Sequence, residues 1–200
     1  MKTRALALGM AAATLLTVGA CNKADQGNAP PNAQTPKAQK VAGTKTIAAG
    51  LAPGGRFMAA AKAAGLDQTL GGPGPYTVFV PDDAAFNGAP AGAFDTKPQN
   101  RAQLTGVLTN LILPGTVLVV DIDKAIDTGK GKAVLATMGG GTLTATKDGG
   151  KTVLADAAGD KATITQGDEQ YTNGVVHHVD AVLMPAKAAT GPAVGKKAGK

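Results

Sequence analysis

Apolar side chains recur with two different periods along this chain, and the period changes near residue 116. In GGRFMAAAKAAG, which ends at Gly65, the residues Phe57, Ala60, Ala61 and Ala64 fall at helical spacing, with Gly65 placed as a C-cap. GGPGP then marks a turn, and YTVFV is a β-branched and aromatic strand ending at Pro81. Asp82 is positioned to N-cap a short helix through Ala84, Ala85 and Phe86. A second helix is predicted from about Pro98 to Leu113. Leu104, Val107, Leu108, Leu111 and Ile112 share one face of it, and Pro114-Gly115 stops it.

From Thr116 onward the pattern becomes one of short strands: TVLVVDI, KAVLATM, TLTATK, KTVLAD, KATITQ and GVVHHVDAVLM. Glycine-rich or Asp-Gly turns separate most of them. Lys147-Asp148-Gly149-Gly150 predicts a hairpin. Helices followed by a run of antiparallel strands predict an α+β fold and not a parallel α/β sheet.

The two ends do not share this patterning. Lys2 and Arg4 precede an apolar run, Ala5 to Val18, of the length of a signal h-region. That run is short for a ~30 Å hydrocarbon core. It closes in Val18-Gly19-Ala20-Cys21, which resembles the lipobox of bacterial lipoproteins, where the cysteine is acylated before cleavage. The competing reading is an ordinary secretory signal with an incidental cysteine. Cys21 is the sole cysteine, so no intramolecular disulfide can form. At ~0.8 kcal/mol per buried methylene, a diacylglyceryl group would hold permanently. Asn22 follows where Asp commonly marks inner-membrane retention, so outer-membrane delivery is expected if the host has two membranes. Residues 22–45 and the tail from 187 are rich in Pro, Ala, Gln, Gly and Lys with almost no large apolar side chain, the composition of linkers. The expected layout is a signal peptide at 1–20, a lipidated cysteine and linker at 21–45, one domain at 46–186 and a basic tail at 187–200.

Charge follows this division. The whole chain carries +6, yet residues 46–186 hold 10 basic and 13 acidic side chains. The positive excess lies in the two ends, not on the folded part. That argues against a nucleic-acid domain, which carries its charge as a patch on the fold. The basic ends suit anionic headgroups or simple solvation.

Three stretches together resemble the fasciclin domain family: Thr77 to Phe86 (TVFVPDDAAF), Leu104 to Gly115 (LTGVLTNLILPG) and Asn173 to Pro185 (NGVVHHVDAVLMP). The motif positions are Thr77, Asp82, Asp83, Asn173, Gly174 and His177. The resemblance covers roughly residues 45 to 185. It implies a compact wedge, a bent antiparallel β-sandwich supported by N-terminal and central helices, and a role in adhesion or surface interaction. Two positions depart from the family. Asn110 and Leu111 stand where Tyr-His is frequent. Glu169 follows Asp168 where animal integrin-binding members commonly carry Ile, so an integrin-type ligand has little support.

Candidate chemistry is sparse. His177 and His178 are the two histidines, and adjacent strand residues face opposite sides, so they do not jointly clasp a metal. His177 is expected to be a hydrogen-bonded partner fixing the last strand. His178, Asp180 and Asp168 are the candidate interaction surface, His178 and Asp180 sharing one strand face. Asp121 and Asp123 have Asp-x-Asp spacing, but the loop lacks the glycine and the twelfth-position acid of an EF-hand, so Asp121, Asp123 and Asp127 read as capping and solvation of a short helix. The chain has no serine and one glutamate, which removes Ser-His-Asp catalysis and any obvious acid/base pair. No P-loop or dinucleotide fingerprint is present.

The expected function is a membrane-anchored binding or adhesion module without cofactor or catalytic residue. Its partners would be the membrane, through the lipid on Cys21, and a surface protein, a polysaccharide or a second copy. A carrier for a small hydrophobic ligand is the alternative, and an envelope enzyme a more distant one.

Overall fold

The computed structural model describes residues 43–185 apart from Pro53. The expected signal peptide, the lipidated Cys21, most of the linker and the basic tail lie outside the described residues. Short helices come first: α1 (Ile47–Gly50), α2 (Arg56–Ala64) and α3 (Asp67–Gly71). Phe57, Met58, Ala60, Ala61 and Ala64 of α2 are buried, so the expected apolar face is the one that packs. Gly65 takes φ 78°, and Leu66 N–H reaches the Ala61 carbonyl at 2.8 Å. The result is a Schellman stop that requires a residue tolerant of left-handed backbone.

Strand β1 (Tyr76–Pro81) lies fully in the core through Val78, Phe79 and Val80. A 3-10 turn at Asp83–Gly88 follows. The expected long helix is divided: a 3-10 turn (Pro98–Asn100), α4 (Arg101–Thr109) and then β2 (Ile112–Pro114). Leu111, Ile112 and Leu113 are all buried. An unbroken apolar triplet satisfies helix and strand burial alike, and the backbone settles it: Phe79 N–H bonds the Leu111 carbonyl at 2.9 Å.

TVLVVDI is not a strand. Its second half opens α5 (Val119–Thr128), which buries Ile122 and Ile126 one turn apart. The β-branched run conceals a helical start whose orphan N–H groups are met by carboxylates. Leu118 N–H donates to Asp121 Oδ2 at 3.3 Å and Val119 N–H to Asp168 Oδ1 at 2.9 Å. Asp123 accepts from Thr152 Oγ1 at 2.9 Å, and both Asp123 and Asp127 face Lys147. Asp121 therefore caps the helix, as expected, whereas Asp123 and Asp127 tie it to Thr152 and Lys147 across the fold.

The remaining strands are β3 (Ala133–Ala136), β4 (Thr142–Asp148), β5 (Lys151–Ala155), β6 (Lys161–Tyr171) and β7 (Gly174–Val179). The hairpin at 147–150 closes where expected, with Asp148 opposite Lys151. All seven strands form one sheet in the order β2-β1-β7-β6-β5-β4-β3. The antiparallel expectation fails at one pair, since β1 runs parallel to β7 with Val78 beside Val176 and Phe79 beside His177. Parallel neighbours need a long crossover, and nearly the whole domain lies between these two strands. Strand β6 carries two register shifts between Ile164 and Glu169. Bulges bend a strand, and at the far end of the sheet the Met138 N–H, just past β3, bonds the Ile112 carbonyl of β2 at 2.7 Å. The fold is mixed α+β, short helices with one seven-stranded sheet. Its contacts begin slightly before residue 46, because the Lys45 carbonyl accepts the Thr172 N–H at 2.8 Å.

Candidate functional site

The motif residues sit where elements meet. Thr77 Oγ1 donates to the Gly115 carbonyl at 2.8 Å and accepts from Val117 N–H at 2.9 Å, clipping the β2–α5 loop onto β1. Asn173 is buried at the turn before β7. Its Oδ1 accepts from Ile47 N–H, and its Nδ2 donates to the carbonyls of Leu70 and Gly72, all at 2.8 Å. Gly174 is needed for close approach, since a Cβ there would lie 2.1 Å from the Tyr76 carbonyl oxygen.

His177 points inward and has no solvent exposure. Nε2 lies 2.8 Å from the Val117 carbonyl, and Nδ1 accepts from Asp168 N–H at 3.0 Å. A carbonyl on one nitrogen and an amide donor on the other require the neutral Nε2–H tautomer. Burial holds its pKa below the ordinary value, against the opposing pull of the Val117 carbonyl and the Asp168 carboxylate. His177 thus joins β7, the β6 bulge and the lead-in to α5.

His178 faces the other side and is half-buried. Its Nε2 is 3.1 Å from Glu169 Oε2 and its Nδ1 is 3.4 Å from Asp82 Oδ1. Glu169 also accepts from Tyr171 Oη at 2.6 Å, and that bond holds its carboxyl below the usual range. Asp82 Oδ2 accepts from Thr165 Oγ1 at 3.1 Å. Asp82 therefore does not cap the following turn through its side chain. It ties the end of β1 to β6 and β7 instead. Asp83 Oδ1 accepts from Arg56 N–H at 3.2 Å, satisfying an orphan donor at the start of α2.

The candidate surface residues come apart in space. His178 lines a cavity of about 190 Å³ with Leu51, Phe57, Met58 and Val80. Asp180 borders a different depression and accepts from Thr163 N–H at 2.6 Å. Asp168, at φ 62°, spends its carboxylate on α5. No hydrogen bond or ion pair joins His178 to Asp180 among the described residues. A double substitution at His178 and Asp180 would strip ties from β6, so a change confined to the surface is not what it would produce.

The chemistry left over is slight. Both histidines have both ring nitrogens engaged, and none of those partners is a hydroxyl or thiol. Among the described residues no group of three His, Cys, Asp or Glu side chains is placed to hold a metal ion. Sequence reasoning missed the Asp82–His178–Glu169–Tyr171 chain. Its one legible signal was His178 itself, a polar residue in an otherwise apolar closing strand.

This set of joints coincides with a family pattern, because a model of the fasciclin domain matches residues 55–185. The chain belongs to the fasciclin domain family. Protein sll1483 of Synechocystis is 32% identical over 141 residues, covering 70% of this chain and 71% of that protein. The cell surface glycolipoprotein MPB83 of Mycobacterium bovis is 30% identical over 120 residues, covering 60% of this chain and 48% of that protein. The solved structure of a FAS1 domain pair from the insect cell adhesion molecule fasciclin I overlays with a TM-score of 0.55 at 18% identity. That overlay covers 71% of this chain and 51% of the pair, and it shows the shared fold. The fasciclin match ends at Pro185, with the NGVVHHVDAVLMP segment. No helix of the described residues is long and apolar enough to cross a membrane.

Proposed function

We propose that this protein is exported, anchored by a lipid on Cys21, and displays its fasciclin domain as a binding or adhesion module that acts through surface area and not through a reactive centre. The observation that carries this reading is how the motif side chains are spent. Thr77, Asp83, Asn173 and His177 each bond the backbone of another element, and His178 is held between two carboxylates. Both ring nitrogens of each histidine already have partners within the fold, which suits a positioning role over proton transfer to a substrate. The relatives fit the reading: one is named a cell-surface glycolipoprotein and another comes from an adhesion molecule. The linker of residues 22–45 could hold the domain up to ~75 Å from the bilayer, and Asn22 favours the outer membrane in a host that has one.

The cavity beside His178, at about 190 Å³, is smaller than the ~300–1,000 Å³ that enclose small ligands, whereas the depression beside Phe94 reaches about 400 Å³. What co-purifies with the protein therefore separates a carrier from an adhesion module. A native mass spectrum free of co-purified ligand is the expected result.

Two experiments bear on the proposal. Cys21→Ala should abolish incorporation of labelled palmitate and leave the protein uncleaved or soluble in detergent partitioning. Label on the alanine variant would remove Cys21 from the anchor. Deleting residues 43–185 while keeping the anchor should reduce surface attachment or cell–cell aggregation severalfold. Unchanged attachment would overturn the adhesion role.

A further inference from the structure

Arg56 is a cation held in place without a counter-ion. It opens α2 on the surface, and its guanidinium lies 5.0 Å from the centroid of Phe86. Nη1 donates to the Asp83 carbonyl at 3.3 Å and to Asn87 Oδ1 at 3.0 Å, both uncharged acceptors. Among the described residues no carboxylate forms an ion pair with it, and its Nε and Nη2 have no hydrogen-bond partner. Asp83 spends a carboxylate oxygen on Arg56's own backbone N–H, and Asp95 is paired with Lys97 at 3.0 Å. One ring contact and two hydrogen bonds therefore fix the guanidinium plane.

Arg56 and Phe86 line a groove of about 400 Å³ together with the 89–95 loop. Phe94 walls it, half-buried and edge-on to Phe86 at 4.7 Å, with Ala89, Pro90, Ala91 and Gly92 beside it; Asp95 also lines it, its carboxylate paired with Lys97 at 3.0 Å. Nε–H and Nη2–H on one edge of a guanidinium match the two oxygens of a carboxylate. A neighbouring aromatic ring beside a shallow apolar floor suits the C–H face of a sugar ring.

We propose that the Arg56–Phe94 groove binds a uronate unit of an acidic polysaccharide. This rests on the adhesion reading and gives its partner a chemical class. A uronic acid carries its carboxylate on a rigid ring, so one residue meets the guanidinium and the aromatic wall together. An Asp or Glu side chain reaches the same guanidinium only on a flexible stem, losing rotamer freedom and leaving the apolar wall uncovered. A polyuronate repeats the unit along its length, and lipid-anchored copies repeat the groove. Many weak contacts then add up to attachment.

The test uses the full-length lipidated chain in neutral phosphatidylcholine vesicles near physiological salt. The immobilised probes are polygalacturonate, its fully methyl-esterified form and polyglutamate. Binding to polygalacturonate alone is expected. Arg56→Gln should weaken it about tenfold or more, and Arg56→Lys nearly as much, because an ammonium cannot pair bidentately. Phe94→Leu should weaken it while leaving the guanidinium's own contacts in place. It decides the matter if the Arg56 variants fail to fold. Equal binding to the ester would remove the carboxylate from recognition and overturn the proposal. Equal binding to polyglutamate would point to an acidic protein partner and overturn it too. Full retention by Arg56→Gln would assign binding to the lysines at the chain ends, with the same consequence. If domain-dependent attachment persists while polygalacturonate fails to bind, only this groove is wrong. Uronate binding without domain-dependent attachment would fail the adhesion reading alone.

Discussion

Replacing Asn173 by Asp should unfold much of the protein near neutral pH, and replacing it by Ala should cost ~3–5 kcal/mol. Asn173 holds three backbone groups, two of them buried with no water to turn to. Ala leaves the Ile47 N–H and the Leu70 carbonyl, both on residues with no solvent exposure, without a partner. The Gly72 carbonyl loses its donor as well. Asp keeps an acceptor for Ile47 but turns a carboxylate oxygen toward two carbonyls from which Nδ2 had stood 2.8 Å. An ionised carboxylate there is buried, repelled and half-paired, which is worse than a deletion. Protonation restores one donor, so the Asp variant should recover part of its stability toward pH 4–5 while the Ala variant should not. Urea midpoints at pH 7.5 and 4.5 check both claims. An Asp variant as stable as wild type at pH 7.5 would show that the amide does not hold α1 and α3 to β7.

The contrast with the rest of the chain shows what a sequence exposes. Local signals came through: the α2 face, the Gly65 stop and the Asp148–Lys151 hairpin each depend on residues a few positions apart. Signals that needed a distant partner did not. Val119 and Val120 read as strand until Asp168, 49 positions away from Val119, is known to receive its N–H. Leu111 to Leu113 are apolar on every side, so burial periodicity cannot choose between helix and strand, and the choice belongs to β1. The same holds at the site. Asp82 has the form of a helix cap, yet its partners are Thr165 and His178, brought near by the β1–β7 and β6–β7 pairings. Asp180 and His178 share a strand face in sequence, but the bulged β6 gives each its own partner. Arg56 carried no motif at all. Its meaning depends on Phe86, Asn87 and Phe94, all folded back over the start of α2.

His177→Ala should cost ~3 kcal/mol, and the wild-type protein should lose stability as pH falls below about 6.5, the ordinary histidine value. The substitution leaves the Val117 carbonyl and the Asp168 N–H unpaired and opens a void beside Phe79, whose ring centroid is 5.5 Å from the imidazole's. The pH effect has a definite sign. Burial lowers the folded-state pKa, so below about 6.5 the unfolded chain takes up a proton on this residue that the native fold refuses. Stability is complete above that pH and declines beneath it until the native imidazole itself titrates. Glu169 acts in a lower window, because its depressed carboxyl pKa adds stability that disappears only as pH drops through the carboxylate range. Melting temperatures of wild type between pH 7.5 and 5.5 should fall, and His177→Gln should flatten that limb even though it starts lower. A wild-type curve flat over this interval would mean that His177 is not held neutral. Loss of a hydrolytic or transfer activity in a His177 variant that melts normally would reopen the enzymatic reading. A variant that melts early and loses attachment only in proportion to its unfolded fraction places His177 among the joints of the fold.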